Sequence, residues 1–326
     1  MNEQIILLLV SFAISFVLSF IAIPVLKKLK VGQIERTDGP QSHLKKQGTP
    51  TMGGVIMIIA IFIMAIITFI RYQSESLNAV QNLLILAFVI IGFGIIGLID
   101  DAKKLLGKNT KGLEPKLKML GLLIISVVYV VFLTSVLKNG TEIIIPFFES
   151  TITLPIWLYI PFAVFVLIGT SNAVNLTDGV DGLSTTVSTI IFACLTVIGI
   201  MTGTKEVAFM GAILVGTCLS FLLFNLHPAK VMMGDTGSLL LGGAMAGIAL
   251  YLKMPLILII IALVPVIETL SVMIQVAYFK KTGKRIFKMA PIHHHFELCG
   301  WKENKVVVVF GAVTLILCIV GLMSIS

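Results

Sequence analysis

Apolar residues run along this chain in long, nearly unbroken stretches separated by short polar ones. The stretches cover about residues 4–26, 53–70, 79–99, 117–137, 155–173, 183–202, 206–224, 236–252, 255–278 and 305–325. A helix needs roughly 20 apolar residues to cross a bilayer. The pattern therefore predicts an all-α polytopic membrane protein with ten transmembrane helices. The first stretch is too long for a signal-peptide core, lacks a basic start and is followed by further spans, so it reads as a retained helix. The stretch 236–252 is short and rich in glycine, and Gly242, Gly243 and Gly247 put small residues on helix faces where neighbouring helices can approach closely. Segment 138–154 differs from the rest. Its alternating β-branched residues around Pro146 predict a small outer β-hairpin. No fixed-period repeat or long linker divides the chain, which reads as one integral membrane domain over 1–326.

Composition agrees with this reading. Apolar residues make up 57% of the chain and charged residues 12%, where a soluble domain carries about 25% charge. That excludes a disordered chain and argues against a soluble enzyme. Four cysteines without a CxxC pair indicate neither a disulfide framework nor a zinc ribbon.

The placement of the few charges says more than their number. Ten spans put both termini on one side. Of 24 Lys and Arg, twenty fall in the loops 27–52, 100–118, 174–182, 225–235 and 279–305, and only Arg71, Lys138, Lys205 and Lys253 fall opposite. The positive-inside rule puts the first set in the cytoplasm and both termini outside. All six Asp and all five His also gather on the cytoplasmic side. The rule makes no demand on Asp or His, so this one-sidedness points to a polar site on the cytoplasmic face.

Five stretches carry the chemistry. Asp100 and Asp101 follow the run 79–99 directly. Adjacent carboxylates raise one another's pKa unless a cation offsets them, and Mg2+ prefers one or two carboxylates together with substrate phosphate oxygens. A solvated helix end, with Lys103 and Lys104 close by, is the plainer alternative. The segment NAVNLTDGVDG holds Asn172, Asn175, Asp178 and Asp181 with no Lys or Arg. Asp178 and Asp181 share a face on a helical turn, though such residues are also ordinary helix caps. In NLHPAKVMMGDTGS, beginning at Asn225, Asp235 sits directly before an apolar run. A carboxylate there suits the helix dipole and is free to bind a metal as well. The run His293, His294, His295 lacks the ligand spacing of a zinc site. These imidazoles suit hydrogen bonding to phosphate or acid–base work, or a solvated loop. Lys45 and Lys46 are natural phosphate partners, or lysines facing anionic lipid head groups. Within 255–278, Pro265 implies a kink, Glu268 is an intramembrane acid, and Gln275 lies nearer the cytoplasmic end, within reach of a substrate. Acids for a metal, cations for phosphate and amides for a polar ligand are the parts that phosphoryl transfer needs. A site at the membrane surface suits one soluble and one lipid-bound substrate.

The motifs SHLKKQGTPTMGG (42–54), GLIDDAKK (97–104), NAVNLTDGVDGL (172–183), NLHPAKVMMGDTGS (225–238) and PIHHHFE (291–297) closely resemble those of the MraY family, the phospho-N-acetylmuramoyl-pentapeptide transferases. That family lies within the polyprenyl-phosphate N-acetylhexosamine-1-phosphate transferase superfamily, and the resemblance spans nearly the whole chain. It implies that UDP-MurNAc-pentapeptide and undecaprenyl phosphate give lipid I and UMP, with Mg2+ as cofactor, at the cytoplasmic face of the bacterial inner membrane in peptidoglycan synthesis. It also implies sensitivity to nucleoside antibiotics of the muraymycin and tunicamycin class and a homodimer, with no nucleic acid as partner. By the same resemblance, Asp235 binds the metal with Asp100 and Asp101 close by, and one of the latter orients or deprotonates the lipid phosphate. Asn175, Asp178 and Asp181 resemble the nucleoside side of the pocket, with Asp181 near uracil, and Asn172 is a further substrate-binding candidate. Lys46, Thr51, Asn225, Gln275, His294 and His295 resemble phosphate, sugar or inhibitor contacts, with His294 also a catalytic candidate and His293 a further substrate-binding one. The kinked run around Pro265 is expected to border a groove for the prenyl chain. Direct attack by the lipid phosphate is preferred, with a covalent aspartyl intermediate left open. Two alternatives remain: a UDP-GlcNAc:polyprenyl-phosphate GlcNAc-1-phosphate transferase, which shares the acidic motifs, and a secondary transporter. Transporters place ionisable groups at the midplane, where this chain has only Glu268.

Overall fold

A computed structural model of the chain describes residues 2–29, 48–107, 112–148 and 150–325. Lys46, with its neighbours in 30–47, lies outside the described residues. The helices are α1 (Asn2–Lys28), α2 (Gly54–Leu106), α3 (Pro115–Val131), α4 (Ile156–Thr177), α5 (Leu183–Met201), α6 (Lys205–Asn225), α7 (Gly234–Tyr251), α8 (Leu258–Ile261), α9 (Leu263–Thr282), α10 (Ile292–Leu298) and α11 (Glu303–Met323). The strands β1 (Glu142–Ile144) and β2 (Thr151–Thr153) lie between α3 and α4.

Among the described residues, eight helices are long and apolar enough to cross a membrane: α1 to α6, α9 and α11. One of these, α2, contains both apolar runs 53–70 and 79–99. Its course breaks at Ser76, whose φ of −157° and ψ of 62° are not helical, within the polar stretch RYQSESLN that separates the two runs. The run 236–252 forms α7, whose glycines dilute its hydropathy but whose side chains from Thr236 to Tyr251 are all buried. The run 255–278 is divided into a 3-10 turn at Pro255–Ile257, α8 and α9. The break falls at Ala262, with φ −106° and ψ 25°, just ahead of the expected kink residue Pro265. A proline ring collides with the carbonyl four residues earlier and offers it no N–H. For Pro265 that carbonyl belongs to Ile261, where α8 ends.

The centre of the bundle is α7, packed chiefly against α2 and α4. Small residues permit this packing. A Cβ on Gly97 of α2 would overlap the carbonyl of Asp235, and one on Gly54 would overlap the backbone of Gly237. Backbones this close need glycine at the crossing. The α1–α6 contact uses another small-residue stripe: Ser11, Ser15 and Ser19 are all fully buried at four-residue spacing. On the outside of the bundle, large apolar side chains such as Phe20, Phe165, Met273 and Ile316 are exposed, a pattern suited to hydrocarbon surroundings.

β1 and β2 pair antiparallel, with Ile143 opposite Ile152. This hairpin is fastened to the far end of α7, where the Ile144 N–H donates to the Lys253 carbonyl at 2.8 Å. It also reaches the end of α11, where the Phe147 N–H donates to the Ser324 carbonyl at 2.9 Å. Lys253 bonds Glu142 at 2.8 Å, and this hydrogen bond, reinforced by the ammonium charge, holds the Glu142 carboxyl below its usual range. The opposite end of α7 carries Asp235.

Candidate functional site

The Gly97–Asp235 approach brings the polar end of α2 against the N-terminus of α7. There the ligand oxygens of Asp100, Asp101 and Asp235 lie within 4.8 Å of one another. Each acid has a different set of partners. Asp101 is buried and caps α7: its Oδ2 accepts the Thr236 N–H at 2.9 Å and the Thr236 hydroxyl at 2.7 Å, and its Oδ1 accepts the Asp235 N–H at 3.2 Å. A carboxylate at a helix N-terminus satisfies orphan N–H groups and suits the dipole. Asp100 accepts the Leu113 N–H on Oδ1 at 2.8 Å, which ties down the loop before α3. Asp235 is the most exposed of the three, at 18% against 4% for each of the others.

Two lysines share these carboxylates. Nζ of Lys104 lies 2.6 Å from Asp100, 2.9 Å from Asp235 and 3.4 Å from Asp101. Nζ of Lys118, from α3, lies 2.7 Å from Asp235 and 4.0 Å from Asp100. Asn175 of α4 completes the cluster, donating from Nδ2 to Asp235 Oδ1 at 2.8 Å and to the Ser238 hydroxyl at 2.7 Å. With the acids ionised and the lysines protonated, three negative charges meet two positive ones. A donor set made only of oxygens with one negative charge in excess fits a hard divalent cation such as Mg2+. Thr51 is half-buried, close to Gly234 at the edge of the cluster.

The turn after α4 carries the second group. Asp181 is buried and engages the loop after α6: its Oδ2 lies 2.9 Å from His227 Nδ1 and accepts the Ala229 N–H at 3.1 Å. Glu303, at the start of α11, approaches the same imidazole nitrogen at 3.6 Å. Asn225 is also buried, accepting from the Thr185 hydroxyl at 2.7 Å and donating to the Val231 carbonyl at 3.0 Å. Asn172 donates back to the Ile168 carbonyl at 2.8 Å within α4. Asp178 is half-buried in the same turn.

The histidines form the short α10. His293 is fully buried against Glu268, with Nδ1 at 3.1 Å from Oε2. His294 and His295 are partly exposed. His294 pairs with Glu297 at 2.8 Å, and His295 Nδ1 accepts the Lys288 N–H at 3.1 Å. Gln275 organises the segment before α10: its Oε1 accepts the N–H groups of Ile286 and Phe287 at 3.0 Å each, and its Nε2 donates to the Phe287 carbonyl at 3.0 Å. Beside it is a cavity of about 390 Å³, lined by Val272, Phe279, Arg285 and Met289 among others.

The three acids expected to act together therefore do meet, with Asn175 among them. Asp181, Asn225 and His293 are instead buried and bonded to other parts of the protein, outside this cluster. The sequence does not single out Lys118, His227 or Glu303, and Lys104 enters there only in the alternative of a solvated helix end. Lys104 left a signal, because it follows Asp100 by four residues and Asp101 by three, the spacing of neighbours on a helix face. Lys118 left none, since its place depends on how α3 docks.

The chain matches Glycosyl transferase family 4 over residues 83–253. It is 50% identical over 317 residues to a phospho-N-acetylmuramoyl-pentapeptide-transferase of Clostridium botulinum (strain Eklund 17B / Type B), covering 97% of this chain and 95% of the relative. It is 48% identical to the protein of that name from Acetivibrio thermocellus, covering 98% and 94%. With the Halalkalibacterium halodurans protein of the same name it shares 47% identity, covering 99% and 98%.

Proposed function

Because the chain belongs to the phospho-N-acetylmuramoyl-pentapeptide-transferase family, we propose that it transfers phospho-MurNAc-pentapeptide from UDP-MurNAc-pentapeptide to undecaprenyl phosphate. The products are lipid I and UMP. The observation that carries this reading is the meeting of Asp100, Asp101 and Asp235 with Lys104 and Lys118 where α2, α3 and α7 converge.

In this proposal an oxygen of the lipid phosphate attacks the sugar-bearing phosphorus of the nucleotide. The bond from that phosphorus to the bridging oxygen breaks, and UMP leaves with the electron pair. Phosphoryl transfer asks the protein mainly for positioning and for charge stabilisation. Lys104 and Lys118 supply positive charge to phosphate oxygens entering beside Asp235. Asp235 and Asp100 would hold Mg2+, with Asp101 adjacent, and the bound ion supplies neutralisation of the pyrophosphate charge. Asp101 fixes the N-terminus of α7, and Asn175 orients Asp235. The second pKa of a phosphate monoester is roughly 6, so the lipid nucleophile is mostly ionised near neutral pH and asks little of a base. By the motif resemblance we assign Asn175, near the end of α4, and Asp178, in the turn after it, to the nucleoside, and His294 and His295 to a phosphate or sugar hydroxyl. Lys46 is assigned to the phosphates by its motif alone.

The proposed topology has ten spans, counting α2 as two and α7 as one, with the acidic cluster in the cytoplasm and both termini outside the inner membrane. The charge partition along the sequence supports it. We extend the proposal to a homodimer.

The test is UMP release by the purified protein in lipid nanodiscs, with undecaprenyl phosphate and either UDP-MurNAc-pentapeptide or UDP-GlcNAc, in the presence and absence of Mg2+. Release with the first nucleotide that stops when the metal is chelated is expected. Product from UDP-GlcNAc alone would overturn the reading.

A further inference from the structure

One ionisable pair lies away from the acid–lysine cluster and has no part in the proposed chemistry. Glu268 of α9 and His293 of α10 are both fully buried. Their contact is 3.1 Å between Oε2 and Nδ1, and the His293 backbone N–H donates to the same oxygen at 3.4 Å. Among the described residues, Glu268 Oε1 and both ring nitrogens of His293 have no hydrogen-bond partner, so Nδ1 meets Oε2 as a charge contact and not as a hydrogen bond. The far edge of the imidazole, at Nε2, abuts Gly179, where an added Cβ would overlap the ring nitrogen. One face of the ring also meets His294, with centroids 4.1 Å apart. The ring is thus held between a carboxylate on one edge and the backbone of the 178–182 turn on the other.

A buried acid is costly in a membrane bundle, and a buried ion pair adds little net stability over apolar packing of the same volume. What the pair adds is direction: the ring sits where Nδ1 meets Oε2, and Nε2 then sets how closely Gly179 can approach. Gly179 lies between Asp178 and Asp181, on the turn assigned above to the nucleoside.

We propose that Glu268 is a positioning residue which, through the His293 ring lodged against Gly179, fixes the 178–182 turn for binding of the uridine nucleotide. The proposal rests on the functional reading above. Glu268 does not touch the substrate. Its effect belongs to the nucleotide and not to the lipid phosphate.

Glu268→Gln keeps the volume and removes the charge. In the full-length protein in nanodiscs, it is expected to raise KM for UDP-MurNAc-pentapeptide about tenfold, while kcat and KM for undecaprenyl phosphate stay within about twofold, the mark of lost ground-state binding. Backbone hydrogen exchange over 174–182, measured without substrate, is expected to quicken. Gly179→Ala, which pushes on the ring from the other side, should reproduce the same split, and the double variant should fall short of the product of the two effects, as coupled neighbours do. Unchanged nucleotide KM and unchanged exchange in either single variant would overturn the proposal. So would a parallel rise in both KM values with a lowered Tm, which is the signature of general packing. If the unmodified protein fails to use UDP-MurNAc-pentapeptide, the functional reading falls by itself, and the exchange measurement still decides whether Glu268 fixes the turn.

Discussion

Three carboxylates that look equivalent in the sequence have separate tasks at the level of single residues. Asp101 spends one oxygen on the N–H and hydroxyl of Thr236, whereas Asp235 faces two ammonium groups and is the most open of the three. Substitutions should tell them apart. Asp235→Asn removes the charge opposite Lys104 and Lys118 and is expected to lower UMP release by at least about a hundredfold, as loss of a metal-site group does, with Tm nearly unchanged. Asp101→Ala deletes the cap and should cost about 0.5–2 kcal/mol more stability than Asp101→Asn, because asparagine caps nearly as well as aspartate; thermal unfolding of the two variants checks this. The acids were legible in the sequence because paired carboxylates at an apolar boundary are chemically conspicuous. Lys118 was not, since the positive-inside rule already gives a basic residue near a span end a sufficient reason to be there.

Single contacts become site geometry through the crossing of α2 and α7. The Gly97 main chain rests against the carbonyl of Asp235, so the distance from Asp100 to Asp235 depends on the absence of a side chain three residues earlier. Gly97→Ala is expected to cost about 1–3 kcal/mol, the usual range for overpacking, and to lower UMP release with it; Gly169→Ala, with open space around its Cβ position, is the control that should do neither. Apolar runs made the helices legible, and the polar stretch around Ser76 marked where two runs part. The ends of the broken run 255–278 were harder to read. Pro265 announced a disturbance, but the break settles at Ala262, because the collision is with the turn preceding the proline.

For the molecule as a whole, the charge partition makes a prediction about sidedness. Cys299 is an exposed free thiol in the loop between α10 and α11, whereas Cys194, Cys218 and Cys318 are buried. In intact spheroplasts a membrane-impermeant maleimide should modify Lys253→Cys at once and reach Cys299 only after permeabilisation; the reverse pattern would invert the topology. The sidedness reading rests on basic residues sorting by loop. The inward-facing packing was less legible, since α7 owes its central place to glycines that make it look weak as a span. At one end this helix is capped by Asp101, and at the other its Tyr251 carbonyl accepts from Asn139 while the hairpin binds the Lys253 carbonyl just beyond it. Eighteen residues of helix separate the two anchorages, roughly 27 Å at 1.5 Å per residue. α7 is thus a strut pinned at both ends, and the carboxylates at its foot take their alignment from a helix whose far end is held as firmly as its near one.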